Sequence, residues 1–157
     1  MKIIKKDDLI NAFFASIGGF ICISFLSYLN ISVNDSVWLI PPFGASMVLV
    51  MAAHNSPLAQ PKNLIFGHIL SALSGVIIYS ILGLSFYSIG AGVALAIFIM
   101  LITNTIHPPA GANPIIVIMG GESIKFVIMP VAIGAIFIVL FAIIYSKILK
   151  KNYPNSN

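Results

Sequence analysis

Two proline-glycine stretches hold the groups in this chain best placed to do chemistry. Pro41-Pro42-Phe43-Gly44-Ala45-Ser46-Met47-Val48-Leu49-Val50 aligns with Pro108-Pro109-Ala110-Gly111-Ala112-Asn113-Pro114-Ile115-Ile116-Val117, with five of ten positions identical. Proline suits the first helical turn, where its missing N–H is not needed, and is disfavoured in a helix interior. Each stretch therefore predicts a short helix starting inside apolar sequence. Such a start directs unpaired N–H groups and roughly half a positive charge at whatever lies before it. If the two N-termini converge, they form a small anion pocket without Lys or Arg. Gly44 and Gly111 allow a ligand close to the backbone, with Ala45 and Ala112 beside them. Ser46 and Asn113, at equivalent positions, either donate to that ligand or cap the broken helices. Asn104, with Thr103 and Thr105, offers further donors just ahead of the second stretch.

His107 opens that stretch. Histidine titrates near neutrality, which suits a proton carrier, and the alternative is a neutral imidazole bonded to a carbonyl that the helix break frees. His54 and His68 are expected near the cytoplasmic boundary. A three-histidine metal site would need all three to converge without carboxylate support. No metal and no other cofactor is expected. The four carboxylates, Asp7, Asp8, Asp35 and Glu122, fall at ends or in loops, so nothing at membrane depth would hold a cation. Enzymatic chemistry is not expected either: no carboxylate orients His107, and no serine sits in a nucleophile elbow.

These groups need an apolar frame. Of 157 residues, 59% are hydrophobic and 8% charged, against about 25% charged in a soluble domain. Mean hydropathy is +1.07. Between Asn63 and Gly121 there is no formally charged side chain. The chain reads as one all-α transmembrane domain, residues 1–157. Four long spans are expected: Leu9 to Leu29, Leu64 to Leu84, Ala91 to Ile102, and Phe126 to Ser146. Two short proline-broken helices add to these, from about Pro42 to Ala53 and from about Pro109 to Met119. A helix of ~12 residues is ~18 Å long, so an extended lead-in over 37–40 must complete the first crossing. Gly67, Ser71 and Gly75, with Gly83 beyond, form a small-residue stripe suited to close helix packing.

Six of eight lysines lie at the ends: Lys2, Lys5, Lys6, Lys147, Lys150 and Lys151. The positive-inside rule places both termini in the cytoplasm, giving an even number of crossings in a plasma (inner) membrane. Nucleic acid is not an expected partner; the lipid bilayer and a small inorganic anion are. The lone Cys22 reads as a packed thiol. The apolar run after the first lysines is too long for a secretory signal and reads as an uncleaved span. Six crossings make a 3+3 inverted repeat, with halves at about 9–84 and 90–148, each interrupted by its proline-broken helix. Two re-entrant short helices keep the parity but make the repeats parallel and move Lys62 outside. Broken helices need shielding from lipid, which predicts a homo-oligomer, a dimer in the simplest case.

His107-Pro108-Pro109 followed by Ala110-Gly111-Ala112 resembles the signature of the HPP family of integral membrane proteins, and Pro41-Pro42-Phe43-Gly44-Ala45 is similar to its earlier motif. The likeness runs from the first span to the last. It implies four membrane helices, with the two short ones additional. Plant members are implicated in nitrite transport across chloroplast membranes, and bacterial members are regarded as transporters. Some members carry a C-terminal CBS pair, for which the few residues after the last expected span leave no place. The resulting expectation is transport of a small planar oxyanion, nitrite or nitrate, between the two broken helices. A channel for such an anion, or a passive membrane subunit with structural proline kinks, is the alternative.

Overall fold

A computed structural model describes residues 5–33 and 36–155; Lys2, Asn34 and Asp35 lie outside them. Every regular element among the described residues is a helix. Helix α1 (Lys6–Ser32) runs 27 residues, and its acceptor Asn30 Oδ1 takes the backbone N–H groups of Trp38 and Leu39, folding the lead-in back. That lead-in is extended up to Ile40, and α2 (Pro41–Ala52) starts on the proline pair. A single 3-10 turn, Pro57–Ala59, follows and is capped by Ser56 Oγ. Helix α3 (Pro61–Leu82) again opens on proline, three residues earlier than hydropathy indicates.

Gly83, at φ +62°, ends α3 instead of extending its small-residue stripe. Helix α4 (Phe86–Ile102) starts five residues ahead of the expected Ala91. Ser85 and Ser88 form a reciprocal capping box there, which lets the helix start in the polar sequence. At 17 residues α4 is about 25 Å long. Among the described residues, three helices are long and apolar enough to cross a membrane by length and composition: α1, α3 and the last one.

The second proline stretch departs from expectation. Pro108–Ala112 winds as a 3-10 helix, and α5 (Asn113–Gly120) is an α-helix of only eight residues. The last helix, α6 (Ile124–Ile148), covers the span expected from Phe126 to Ser146. Pro130 cannot donate to the helical ladder, and the backbone leaves helical geometry at Met129.

Packing makes sense of the small residues on α3. A Cβ on Gly67 would lie 2.8 Å from His107 Cβ, and one on Gly75 would lie 2.8 Å from Pro114 Cα. Gly92 on α4 would meet Ile118 and Pro114 in the same way. The stripe is therefore the bed on which the second proline stretch lies. Phe43 of α2 is fully buried against Gly134 of α6, and Cys22 is a buried free thiol. After α6 the chain turns back, and Tyr153 Oη donates to Ala59 O at 2.9 Å, tying the tail to the 3-10 turn.

Candidate functional site

Buried polar side chains in a hydrophobic bundle carry a penalty of several kcal/mol unless paired, so their positions are informative. Ser46, His68, His107 and Asn113 each have no exposed surface. They form one connected cluster. Ser46, in mid-α2, places Oγ 2.8 Å from His68 Nε2 and 2.8 Å from His107 Nε2. The same oxygen lies 3.1 Å from Pro42 O, one helical turn back. Asn113, the first residue of α5, sends Nδ2 to His68 O and to His68 Nδ1, both at 3.0 Å. His107 Nδ1 sits 2.8 Å from Leu58 O in the 3-10 turn. The imidazoles are 5.0 Å apart between centroids, and Phe43 packs edge-on against His68 at 5.4 Å.

These contacts fix the proton positions. A carbonyl only accepts, so His107 Nδ1 carries hydrogen and, in the neutral ring, its Nε2 is the acceptor. Asn113 Nδ2 faces the carbonyl of His68, which sets the amide orientation and makes His68 Nδ1 an acceptor as well. His68 therefore carries its hydrogen on Nε2 and donates it to Ser46 Oγ. Asn113 Oδ1 is left buried without a partner among the described residues.

The sequence placed His68 at a membrane boundary. In the fold it lies seven residues into α3, about 10 Å along the helix, at the centre of the cluster. Ser46 and Asn113 were read as caps or ligand donors. Neither side chain caps a helix: Ser46 is interior to α2, and Asn113 uses its side chain on His68. Asn104 is exposed in a left-handed turn at φ +52° and stays outside the cluster. Thr103 Oγ1 and Thr105 Oγ1 bond each other at 2.7 Å. His54 belongs elsewhere, in a pocket it shares with Asp8, Asn11 and Lys151. Burial, and then the nearby Lys151 charge, hold its pKa below the usual histidine value.

The helix N-termini offer fewer donors than their positions suggest. Pro41, Pro42 and Pro114 have no N–H, Phe43 N–H bonds Ile40 O at 3.0 Å, and Asn113 N–H bonds Ala110 O. Gly44 and Gly111 do leave space beside them, since a Cβ there meets nothing within 4 Å. Ala112, like both glycines, is half-buried; Ala45 is exposed. The two proline stretches face each other across a groove of about 440 Å³, lined by Ala45, Val48, Leu49, Ala52, Pro108 and Pro109. It runs beside the cluster that joins them.

A family model described as HPP, transmembrane region, matches residues 4–154. Two transmembrane proteins of Dictyostelium discoideum are similar to this chain. One is 35% identical over 149 residues, covering 89% of this chain and 52% of the relative. The other is 36% identical over 145 residues, covering 87% and 47%. The chain thus spans about half the length of the curated relatives it matches. No solved structure matches it.

Proposed function

We propose, for a chain that belongs to the HPP transmembrane family, that it transports a small planar oxyanion such as nitrite or nitrate. The transit point is the cluster joining the two proline stretches. One observation carries this reading: two histidines, a serine and an asparagine from both stretches and α3 meet fully buried, with no carboxylate among them. The only ionisable groups there are imidazoles, so the cluster is either neutral or positive, and its charge complements an anion. Asn113 Oδ1 still accepts one donor from a water or a ligand.

The wider arrangement follows the same reading. The two halves form an inverted repeat in a plasma membrane, with both termini cytoplasmic and the chain paired with a second copy of itself. An enzymatic role finds no support in His107, whose Nδ1 is engaged by a carbonyl and not by a carboxylate. A purely structural cluster is the competing reading, favoured by how completely the four side chains bond one another.

Reconstituted protein is expected to carry nitrite or nitrate into liposomes, with flux falling at least about tenfold in Asn113→Leu and His107→Ala. Absence of flux across a screen of small anions overturns the transport reading. Undiminished flux in both variants overturns the site. Cysteine labelling at residue 62 from the cytoplasmic side only supports the inverted repeat, and labelling from outside only removes it.

A further inference from the structure

Ser46 Oγ has three polar neighbours: Pro42 O, His68 Nε2 and His107 Nε2. A hydroxyl holds one hydrogen and accepts two, so it serves all three only if two of them donate. His68 Nε2 already donates, because Asn113 fixes its tautomer. Pro42 O can only accept. His107 Nε2 is the remaining neighbour, and in neutral His107 it is an acceptor, because Nδ1–H is committed to Leu58 O. With a neutral cluster the Ser46 hydrogen must choose between His107 and Pro42. With one more proton, on His107 Nε2, every contact becomes a hydrogen bond.

We infer that this cluster is built to hold a single extra proton on His107, with Ser46 as the hydroxyl switch that receives it, and that the anion crosses together with that proton. Loading breaks one O–H bond of a hydronium ion on the side of entry, leaving water, and forms one N–H bond with the lone pair of His107 Nε2. Ser46 O–H then rotates from His107 to Pro42 O, and its oxygen accepts from both imidazoles. Unloading reverses each movement. His68 is not an equivalent carrier. A proton on its Nδ1 would meet Asn113 Nδ2–H, and turning the amide would set Oδ1 against His68 O. A second proton is opposed by the first, with the rings 5.0 Å apart.

The surroundings leave His107 alone in this task. From α3, His68 faces it, while Lys62 is exposed at the first turn. Helix α2 contributes Ser46 and the 3-10 turn contributes Leu58 O; Tyr153 Oη, on the tail, is engaged by Ala59 O. Helix α4 has Tyr87, which is exposed. Neither α2 nor α3 contains Asp or Glu.

The anion is taken from the proposed function; the proton assignment is not, and the test separates them. Nitrogen-15 NMR of histidine side chains in membrane-reconstituted protein, without any anion, reads tautomer and charge directly. At about pH 8 His107 is expected as the Nδ1–H tautomer and His68 as Nε2–H. On acidification, His107 becomes imidazolium while His68 stays neutral. Ser46→Ala is expected to cut the charged fraction of His107 at low pH about tenfold, and Ser46→Thr to restore it. Protonation of His68 first, reversed tautomers, or a His107 that stays neutral until the protein unfolds overturns the inference, even if Ser46→Ala does not fold. In liposomes the same inference expects one proton per anion. If the NMR order holds but no anion moves, the transport reading fails and the proton site stands.

Discussion

The two proline stretches share half their residues yet fold differently, and one position accounts for it. Met47 in the first corresponds to Pro114 in the second. In an α-helix the residue at this place donates to the carbonyl four positions back, which Met47 can do and Pro114 cannot. Ala110 O is thereby released. Asn113 N–H takes it one residue early, producing the 3-10 turn, and Ser71 Oγ donates to it at 2.5 Å. The first stretch is thus a continuous helix with Ser46 in its interior, while the second is a tight turn bonded to α3. That difference turns Asn113 toward His68 and brings both stretches to one cluster.

The strongest way to break this pairing is to remove its meeting point. Ser46→Ala leaves His68 Nε2–H without an acceptor and His107 Nε2 without a donor, at roughly 1–3 kcal/mol for each stranded group. Thermal unfolding in detergent is expected to show the largest loss of stability in this series. Close packing distinguishes the stretches next. Gly75→Ala sets a methyl against Pro114 and is expected to cost about 1–3 kcal/mol, whereas Gly44→Ala meets open space and changes stability by less than about 0.5 kcal/mol. Equal losses in the two variants would show that the second stretch is not bedded on α3 as described.

Much of this was legible in the sequence. The alignment of Pro41-Pro42 with Pro108-Pro109 located both breaks, and the extended residues before Pro41 followed from the helix being too short to cross. The Met47/Pro114 difference was equally visible, and the loss of the donor to residue 110 follows from proline chemistry alone. His68 was harder to find. It lies within a span marked by hydropathy, and a scan for formal charge passes over a neutral histidine. The available signal was that His68 is the only ionisable side chain of the aliphatic stretch 64–78 and adjoins Gly67 in the small-residue stripe. The tail contact of Tyr153 with the 3-10 turn left no periodic signal, because it depends on tertiary approach across 94 residues.

A double-mutant cycle sharpens the account of the 3-10 turn. Ser71→Ala alone is expected to cost about 1 kcal/mol through Ala110 O. In a Pro114→Ala background residue 114 regains its N–H, that oxygen has a new donor, and the loss should shrink. Additive effects would detach Ser71 from the proline difference.

The smallest expected effect lies outside the cluster. His54 has its pKa lowered in the fold by burial and by Lys151, so the fold favours the neutral ring. That contribution is complete above the unfolded value of 6.5 and is lost as pH falls through the lowered folded value. Comparing Tm between about pH 7.5 and 5.5, wild type should lose slightly more stability than His54→Gln. An identical response would remove this role from His54.

The central claim is that a small anion crosses where Ser46 joins the two histidines. Initial nitrite uptake into liposomes containing wild type, Ser46→Ala or Ser46→Thr tests it most directly. The account predicts that Ser46→Ala lowers the rate at least about tenfold, and that Ser46→Thr, which keeps the hydroxyl, stays near wild type. Equal rates for Ser46→Ala and wild type, with both variants folded, would contradict it.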